Sequence, residues 1–161
     1  MGEQQSRRRA IRVMIVDDDP LFRLGVAAAL AGDDQLEFVL SEAGDGEAAL
    51  ALIASEEPAV VLLDLNMPRL DGHAVARRLK QRWPHVRVIV LTGSDAAEDR
   101  RRAEQAGVDA FVEKSQLVET QLSALIASVS ANHGRLPSRM SGVLTPQQRR
   151  HVAPRSRPRQ D

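Results

Sequence analysis

The chain predicts an α/β fold in which one doubly wound parallel sheet of five strands is packed against five helices. Short runs rich in Val, Ile and Leu alternate with segments whose apolar residues recur at helical spacing. This alternation is typical of βαβ units with right-handed crossovers. In addition, four of the apolar runs end at polar or charged side chains, namely Asp17, Asp64, Thr92 and Lys114. Ligands of open α/β sheets bind at the edge where such strand ends meet.

Each predicted strand is a short apolar run bounded by turn-forming residues. The runs cover residues 11–16, 36–43, 59–63, 86–91 and 110–113. The second run ends in Ser41, Glu42 and Ala43, and its polar residues place it at an edge of the sheet. The other runs are almost entirely apolar, as expected for strands covered on both faces.

The segments between the strands predict five helices. The first begins near Pro20, and its residues with helical spacing are Leu21, Leu24, Gly25, Ala28 and Ala29. The second follows the turn 44–46 and presents Ala48, Ala49, Leu52 and Ile53. The remaining helices are predicted over 72–82, 96–105 and 116–130, with Gly107 as the left-handed cap of the fourth.

Composition limits the classes of protein that the chain can belong to. A length of 161 residues is typical of one domain, and the absence of cysteine excludes disulfides and thiolate metal sites. The apolar stretches are shorter than the ~20 residues that span a bilayer. No apolar segment follows Arg7, Arg8 and Arg9, so a secretory signal is not predicted. We therefore expect a cytoplasmic protein without a membrane segment.

The net charge of zero conceals an acidic body with basic ends. Residues 1–12 contain four Arg and one Glu, and residues 135–161 contain seven Arg and one Asp. Residues 13–134 then carry a net charge of −9. An acidic body repels phosphate and is a poor general binder of nucleic acid. Residues 1–10 and 132–161, the latter rich in Arg and Pro, are predicted to be disordered around a domain at 11–131.

The polar residues at the strand ends suit a specific chemistry. Asp17, Asp18 and Asp64 supply carboxylates, Thr92 supplies a hydroxyl and Lys114 supplies an ammonium group. Oxygen ligands are those that Mg²⁺ prefers, and a carboxylate can act as a nucleophile toward phosphorus. The sequence therefore predicts a site that holds a divalent cation and accepts a phosphoryl group.

These residues, in this order and context, resemble the response-regulator receiver domain, also described as CheY-like. The resemblance rests on segments 16–20 and 64–68, Asp71 with Gly72, Thr92 with Gly93, and Lys114, and it covers about residues 11–131. It implies a flavodoxin-like strand order of 2-1-3-4-5. It also implies a role in two-component signal transduction.

Segment 18–25 is most similar to receivers of LuxR-type regulators (NarL/FixJ-like), which precede a helix-turn-helix. Segment 144–150, Leu-Thr-Pro-Gln-Gln-Arg-Arg, resembles the start of such an effector domain. Residues 151–161 lack the apolar periodicity of a recognition helix. The chain thus looks like a receiver with a remnant of an effector domain, and DNA binding is not expected without a complete helix-turn-helix.

The resemblance assigns a role to each site residue. Asp64 would be the phosphoacceptor for a sensor histidine kinase. Mg²⁺ would be bound by Asp18, Asp64 and the backbone carbonyl of Asn66, with Asp17 acting through water. The domain would assist its own phosphotransfer and dephosphorylation without being an enzyme.

The resemblance also implies how the signal would be read out. Lys114 would pair with the phosphoryl oxygens, and Thr92 would donate a hydrogen bond to them. Phe111 would occupy the space that Thr92 vacates. The output would be a change in protein contacts, through a homodimer or a downstream partner.

Other interpretations depend on individual residues. Asp64 could cap a turn, Lys114 could be solvated, and Phe111 could be an ordinary core aromatic. A phosphatase of the haloacid-dehalogenase type would use Asp17 as its nucleophile and Asp19 two residues on, a spacing that the chain contains. A truncated LuxR-type regulator could retain DNA contact through its arginine-rich tail.

Overall fold

A computed structural model describes residues 9–93, 97–117 and 121–131. Its strands are β1 (Ile11–Val16), β2 (Phe38–Ala43), β3 (Val60–Asp64), β4 (Arg87–Thr92) and β5 (Ala110–Glu113). Its helices are α1 (Pro20–Ala31), α2 (Gly46–Glu56), α3 (Gly72–Arg82), α4 (Ala97–Ala106) and α5 (Leu122–Ala131). Strands and helices alternate along the chain, as the sequence predicts.

The five strands form one parallel sheet in the order β2-β1-β3-β4-β5. Val13 of β1 lies opposite Val60 of β3, and Leu63 of β3 lies opposite Val90 of β4. The predicted strand order is therefore confirmed, and β2 is an edge strand as its polar residues indicated. Because all strands are parallel, their carboxyl ends lie at one edge of the sheet.

Alternate residues of the central strands enter two separate cores. Met14, Val61 and Val88 belong to the core under α2, α3 and α4. On the opposite face, Val13 and Leu62 belong to the core under α1 and α5. The two-residue period of a strand divides its side chains between the faces in this way, and burial on both faces explains why the strands are almost entirely apolar.

Aspartate side chains determine where three of the helices begin. Asp19, Asp45 and Asp71 are the N-caps of α1, α2 and α3, and they accept hydrogen bonds from Leu21 N, Ala48 N and His73 N, respectively. A carboxylate at this position satisfies a backbone N–H that has no partner within the helix. Two of these caps, Asp19 and Asp71, lie in the loops that also carry the candidate site.

The structure corrects the predicted apolar face of α1. Leu21 and Leu24 are 77 % and 64 % exposed, whereas Val26 and Leu30 are buried against the sheet. The helix is apolar on both sides, so the sheet buries one apolar face and leaves another in solvent. This exposed face is considered again below.

The last helix also begins later than predicted. Residues Lys114–Gln116 form one turn of 3₁₀ helix, and α5 starts only at Leu122. Gly107 has a φ of 83°, as expected for a left-handed cap.

Arg9 and Ala10 lie outside regular secondary structure. The remaining predictions for residues 1–8, for Val118 and for the tail 132–161 lie outside the described residues. None of the helices in the described part of the chain combines the length and apolar character needed to cross a membrane.

Candidate functional site

The sheet brings the predicted site residues together at the carboxyl ends of its strands. Asp17 and Asp18 follow β1, Asp64 is the last residue of β3, and Thr92 is the last residue of β4. Lys114 follows β5 directly. Their common position results from parallel strands that end at the same edge.

Three carboxylates form the acidic part of the site. Asp17, Asp18 and Asp64 each place an oxygen within 4.8 Å of the others. Asp17 and Asp64 are 1 % and 3 % exposed, whereas Asp18 is open to solvent. A cluster of hard oxygen donors with one solvent-facing side fits a cation such as Mg²⁺, which usually keeps several waters.

Lys114 places its ammonium group between two of these carboxylates. Its Nζ lies 2.6 Å from Asp17 Oδ2 and 3.5 Å from Asp64 Oδ2. Burial disfavours the charge on Lys114, but the hydrogen bond to Asp17 and the charge of Asp64 outweigh it, so the pKa of Lys114 is raised. The ammonium group therefore stays charged at the centre of the site.

Asp64 is held by fewer stabilising contacts than its burial demands. Its Oδ1 accepts a hydrogen bond from Asn66 N at 3.1 Å, and Lys114 lies near its other oxygen. Burial raises the pKa of Asp64, and the nearby charge of Asp17 adds to this, while the Asn66 N–H and Lys114 lower it. The pKa of Asp64 is raised overall, so its ionised form is less stable in this pocket than it would be in water.

Thr92 and Asn66 close the site on the β4 side. Thr92 is fully buried, and its Oγ1 accepts a hydrogen bond from Asn66 Nδ2 at 3.2 Å. The side chain of Asn66 thus contacts Thr92, while its backbone N–H binds Asp64. The adjacent Ser94 lies outside the described residues.

Phe111 lies on β5 beneath α4, where it is 6 % exposed. The guanidinium carbon of Arg100 lies 4.5 Å from the centre of its ring. The ring is therefore both a core residue and a contact point for α4, a helix that carries six ionisable side chains in ten residues.

The loop after Asp64 connects the site to α4. A methyl group at Gly72 would lie 2.5 Å from Leu65 Cα and 2.8 Å from Asp64 O, so only glycine allows α3 to start this close to the backbone of Asp64 and Leu65. On either side of Gly72, two side chains bind α4. Asp71 Oδ2 lies 2.9 Å from Arg102 Nη2, and His73 Nε2 lies 3.0 Å from Asp99 Oδ1.

Two residues of α1 also reach the site and were not singled out from the sequence. The ring of Phe22 lies under Lys114, with Nζ 4.0 Å from the ring centre. Arg23 Nη1 donates to the backbone carbonyl of Asp17 at 2.6 Å. Both residues belong to segment 18–25, which carried the similarity to LuxR-type receivers, so the sequence contained a signal for them but not for their contacts.

The fold and the site together define a class of protein: an α/β domain with an acidic, lysine-containing pocket at the carboxyl edge of its sheet. The model of the response regulator receiver domain matches residues 13–127. The chain therefore belongs to the response regulator receiver family, whose members work in two-component signal transduction.

Among curated proteins, the chain is 36 % identical over 129 residues to the transcriptional regulatory protein DegU of Brevibacillus brevis, covering 80 % of this chain and 52 % of that protein. It is 38 % identical over 121 residues to the nitrate/nitrite response regulator protein NarP of Escherichia coli, covering 75 % and 56 %. The chain thus spans about half the length of these relatives.

Solved receiver structures have the same fold. The signal receiver domain of the response regulator NarL from Mycobacterium tuberculosis is 36 % identical with a TM-score of 0.65, covering 78 % of this chain and 98 % of that chain. The response regulator domain of Thermotoga maritima CheB is 24 % identical with a TM-score of 0.68, covering 76 % and 98 %, and supports the fold alone.

Proposed function

We propose that this chain is a phosphorylation switch in which Asp64 accepts a phosphoryl group from a sensor histidine kinase. A carboxylate oxygen of Asp64 forms a bond to phosphorus while the bond from phosphorus to the kinase histidine breaks. The products are an aspartyl phosphate and the free histidine side chain, whose leaving nitrogen takes up a proton to give neutral imidazole. The supporting observation is that Lys114 lies within 3.5 Å of Asp64 inside a pocket that is otherwise acidic.

Lys114 prepares the pocket for this charge. Its ammonium group is held by Asp17, 2.6 Å away, and needs only a small movement to reach an oxygen on Asp64. A cation already oriented at this position offsets the negative charge that develops during phosphoryl transfer. The raised pKa of Lys114 keeps that cation charged.

Asp18, Asp64 and the backbone carbonyl of Asn66 are proposed to hold Mg²⁺, with Asp17 acting through water. The close approach of the three carboxylates supports this, since like charges at such distances repel one another without a cation. Mg²⁺ would supply charge neutralisation for the phosphoryl oxygens and would orient them.

Thr92 and Phe111 are proposed to report the phosphorylated state. The Thr92 hydroxyl would turn from Asn66 toward the phosphoryl oxygens and donate a hydrogen bond to them. Phe111, which now lies beneath Arg100, would repack into the space beside Thr92 and change the contacts of α4. Such a local change biases a two-state surface, and protein partners or a second copy would read it.

The test is phosphorylation by a small donor. The full chain is incubated with acetyl phosphate and Mg²⁺, and its intact mass is measured. We expect the addition of one phosphoryl group, no addition to Asp64→Asn, and no addition to the wild type in the presence of excess EDTA. Labelling of Asp64→Asn to the same extent would contradict the assignment.

Two neighbouring aspartates provide a matched pair for the metal. Asp18→Asn removes a proposed Mg²⁺ ligand and should slow labelling by about a hundredfold, as expected when a main source of charge stabilisation is weakened. Asp19→Asn makes the same chemical change one residue away at the N-cap of α1, where Asn serves as well as Asp. It should label at nearly the wild-type rate.

The other two interpretations receive no support. A phosphatase with Asp17 as nucleophile would need Asp19 as its second acid, but Asp19 caps α1 through Leu21 N and is exposed. The tail segments on which DNA contact was considered lie outside the described residues.

A further inference from the structure

Asp17 is held at each of its four hydrogen-bonding positions. Its backbone N–H donates to Ala43 O at 3.2 Å, and its backbone carbonyl accepts from Arg23 Nη1 at 2.6 Å. Its carboxylate accepts from Asp19 N at 2.9 Å through Oδ1 and from Lys114 Nζ at 2.6 Å through Oδ2. The position and the direction of Asp17 are therefore determined by the protein alone.

Asp18, the neighbouring carboxylate, has no such support. Its side chain is exposed and makes no hydrogen bond or ion pair with residues 9–93, 97–117 and 121–131. The fold therefore orients Asp18 through its backbone. Because a peptide unit is planar, the direction of the Asp17 carbonyl also sets the direction of the Asp18 N–H and the position of the Asp18 Cα. A group that holds the Asp17 carbonyl consequently orients Asp18 as well.

The group that holds this carbonyl is the guanidinium of Arg23, which extends from α1. Its Nε lies 3.9 Å from Glu42 Oε1 near the end of β2, and a methyl group on Gly44 would lie 3.6 Å from Nη1. The Arg23 side chain is only 20 % exposed. The guanidinium is thus enclosed between α1, the end of β2 and the loop after β1. A charged donor in this position makes a stronger hydrogen bond than a neutral one.

Charge and geometry give Arg23 opposite effects on a cation at Asp18 and Asp64. As a second positive charge near the site, the guanidinium repels the cation and weakens its binding. As a support for the peptide between Asp17 and Asp18, it keeps the carboxylates in place and strengthens binding. The geometric effect is larger for Mg²⁺ than for Ca²⁺, because Mg²⁺ demands near-ideal octahedral geometry whereas Ca²⁺ accepts flexible coordination.

We propose that Arg23 is a positioning residue that gives the site its preference for Mg²⁺ over Ca²⁺. It acts through the backbone carbonyl of Asp17 rather than as a ligand. Groups that orient a metal ligand from outside the coordination shell commonly change metal affinity by about 10- to 100-fold. The role of Arg23 rests on the proposed function, because it requires Asp18 and Asp64 to hold the cation.

A second arginine provides a matched control. Arg12 Nε donates to Glu56 O at 2.8 Å, near the amino end of β1 and away from the site. Arg23→Met and Arg12→Met each remove one positive charge and one hydrogen bond from an arginine to a backbone carbonyl. Isothermal titration calorimetry of the metal-free full chain, with MgCl₂ and with CaCl₂, measures the two affinities. Circular dichroism confirms that each variant folds.

We expect Arg23→Met to bind Mg²⁺ about tenfold more weakly than the wild type, as is typical when a group that orients a metal ligand is removed. Its Ca²⁺ affinity should stay within about threefold, so the ratio of the two affinities falls. Arg12→Met should keep both affinities within about twofold, because a distant charge is screened.

Arg23→Lys provides a milder variant at the same position. It keeps the positive charge but lacks the planar fork of donors, so it should lose about threefold in Mg²⁺ affinity and little in Ca²⁺ affinity. The same comparison with the wild type decides the question if Arg23→Met does not fold.

Mg²⁺ binding by Arg23→Met that is as tight as in the wild type, or tighter, would overturn the inference, because charge would then outweigh geometry. Equal losses of Mg²⁺ and Ca²⁺ affinity would also overturn it, since a general loosening of the fold weakens both ions alike. An equal loss of Mg²⁺ affinity in Arg12→Met would have the same consequence.

Labelling by acetyl phosphate separates this inference from the proposed function. A wild type that binds Mg²⁺ and is labelled, with unchanged selectivity in Arg23→Met, refutes the role of Arg23 and leaves the phosphoacceptor assignment standing. A fall in the ratio of affinities in a chain that is never labelled supports the role of Arg23 and refutes the phosphoacceptor assignment. A wild type that does not bind Mg²⁺ refutes the proposed metal site and the role of Arg23 together.

Discussion

The two faces of the sheet border the same pocket but contact it in different ways. On one face, α4 reaches the loop after Asp64 through charged and polar pairs, Asp71 with Arg102 and His73 with Asp99. On the other face, α1 reaches Lys114 through an aromatic ring, that of Phe22. The first type of contact depends on the direction and charge of a few groups, whereas the second depends mainly on apolar burial.

This difference teaches that a change in the pocket can be transmitted in two directions at once. Movement of the β3–α3 loop would disturb the pairs that Arg102 and Asp99 of α4 make with it. Movement of Lys114 would disturb its contact with the ring of Phe22 on α1. The predictions below test whether the two faces differ as described, from the largest expected effect to the smallest.

Lys114→Met should have the largest effect on stability. It leaves Asp17 and Asp64 buried without their shared cation, and an uncompensated buried charge is strongly destabilising. Because the Lys114 side chain is 24 % exposed, we expect a loss of about 2 kcal/mol in the free energy of unfolding, less than for a fully buried pair. Urea denaturation in metal-free buffer measures this loss.

Mg²⁺ provides the control for that variant. Added Mg²⁺ should restore more stability to Lys114→Met than to the wild type, because a second cation can replace the missing one between the carboxylates. An unchanged stability of Lys114→Met in metal-free buffer would mean that Lys114 does not neutralise the pocket.

Asp64→Asn should stabilise the protein in metal-free buffer. The pKa of Asp64 is raised in the fold, mainly by burial, so its ionised form is disfavoured there relative to the unfolded chain. The ionised form of Asp64 destabilises the fold at neutral pH. This destabilisation disappears as the pH falls below 3.8, the pKa of the group in the unfolded chain. A neutral amide should therefore gain roughly 1 kcal/mol at pH 7 and nothing in acid.

Thermal unfolding at several pH values measures this gain. An increase of a few degrees in Tm at pH 7 is expected for a domain of this size. A lower Tm for Asp64→Asn would show instead that the ionised carboxylate is well stabilised in the fold, contrary to the raised pKa of Asp64.

Arg102→Gln should have a smaller effect on stability, because the ion pair that it removes lies near the surface. The side chain of Arg102 is 41 % exposed, and that of its partner Asp71 is 50 % exposed. Burial raises the pKa of Asp71, but the hydrogen bond from His73 N and the contact with Arg102 lower it by more, so the pKa is lowered overall. The variant should therefore raise that pKa, observed by NMR titration, and cost at most about 0.5 kcal/mol at neutral pH.

The pH dependence of this cost has a definite sign. A lowered carboxyl pKa contributes stability above the unfolded value of 3.8 and loses it as the pH falls through the folded value. Wild type and Arg102→Gln should thus converge in acid. Arg101→Gln removes a neighbouring arginine that pairs with Glu98 instead, and the pKa of Asp71 should not follow that change.

Leu24→Gln should have the smallest effect on folding. Leu24 is 64 % exposed and outside both cores, so its replacement should change the free energy of unfolding by less than about 0.5 kcal/mol in dilute solution. Chemical denaturation at low protein concentration tests this. A large loss would mean that Leu24 contributes to the packing of the domain despite its exposure.

The sequence predicts the sheet and the pocket well because both follow from the ends of strands. Four apolar runs end at Asp17, Asp64, Thr92 and Lys114, and parallel strands necessarily place those ends together. Burial on both faces makes the strands continuous apolar runs, which are easily located.

The inner face of α1 could not be predicted in the same way. The helix is apolar on two sides, so its periodicity is compatible with either Leu21 and Leu24 or Val26 and Leu30 facing the sheet. Packing against β1 and α5 decides between them, and a sequence window contains no information about that packing. The residue that contacts Lys114 on this helix, Phe22, was missed for the same reason.

The 3₁₀ turn after β5 was also missed, since Lys114 and the residues after it are compatible with a longer α5. The contact between Lys114 and Asp17 joins residues 97 positions apart. A contact between residues so far apart in the sequence depends on how all the strands and helices pack together. Local sequence patterns therefore indicate which residues share an edge of the sheet but not which of them are in contact.

The most direct test of the central claim is to locate the phosphoryl group chemically. After treatment with acetyl phosphate and Mg²⁺, borohydride converts an aspartyl phosphate to homoserine, and peptide mass spectrometry finds the modified position. Homoserine in place of Asp64 alone is the predicted result. Modification at Asp17, Asp18 or any other residue, or none at all, would contradict the account.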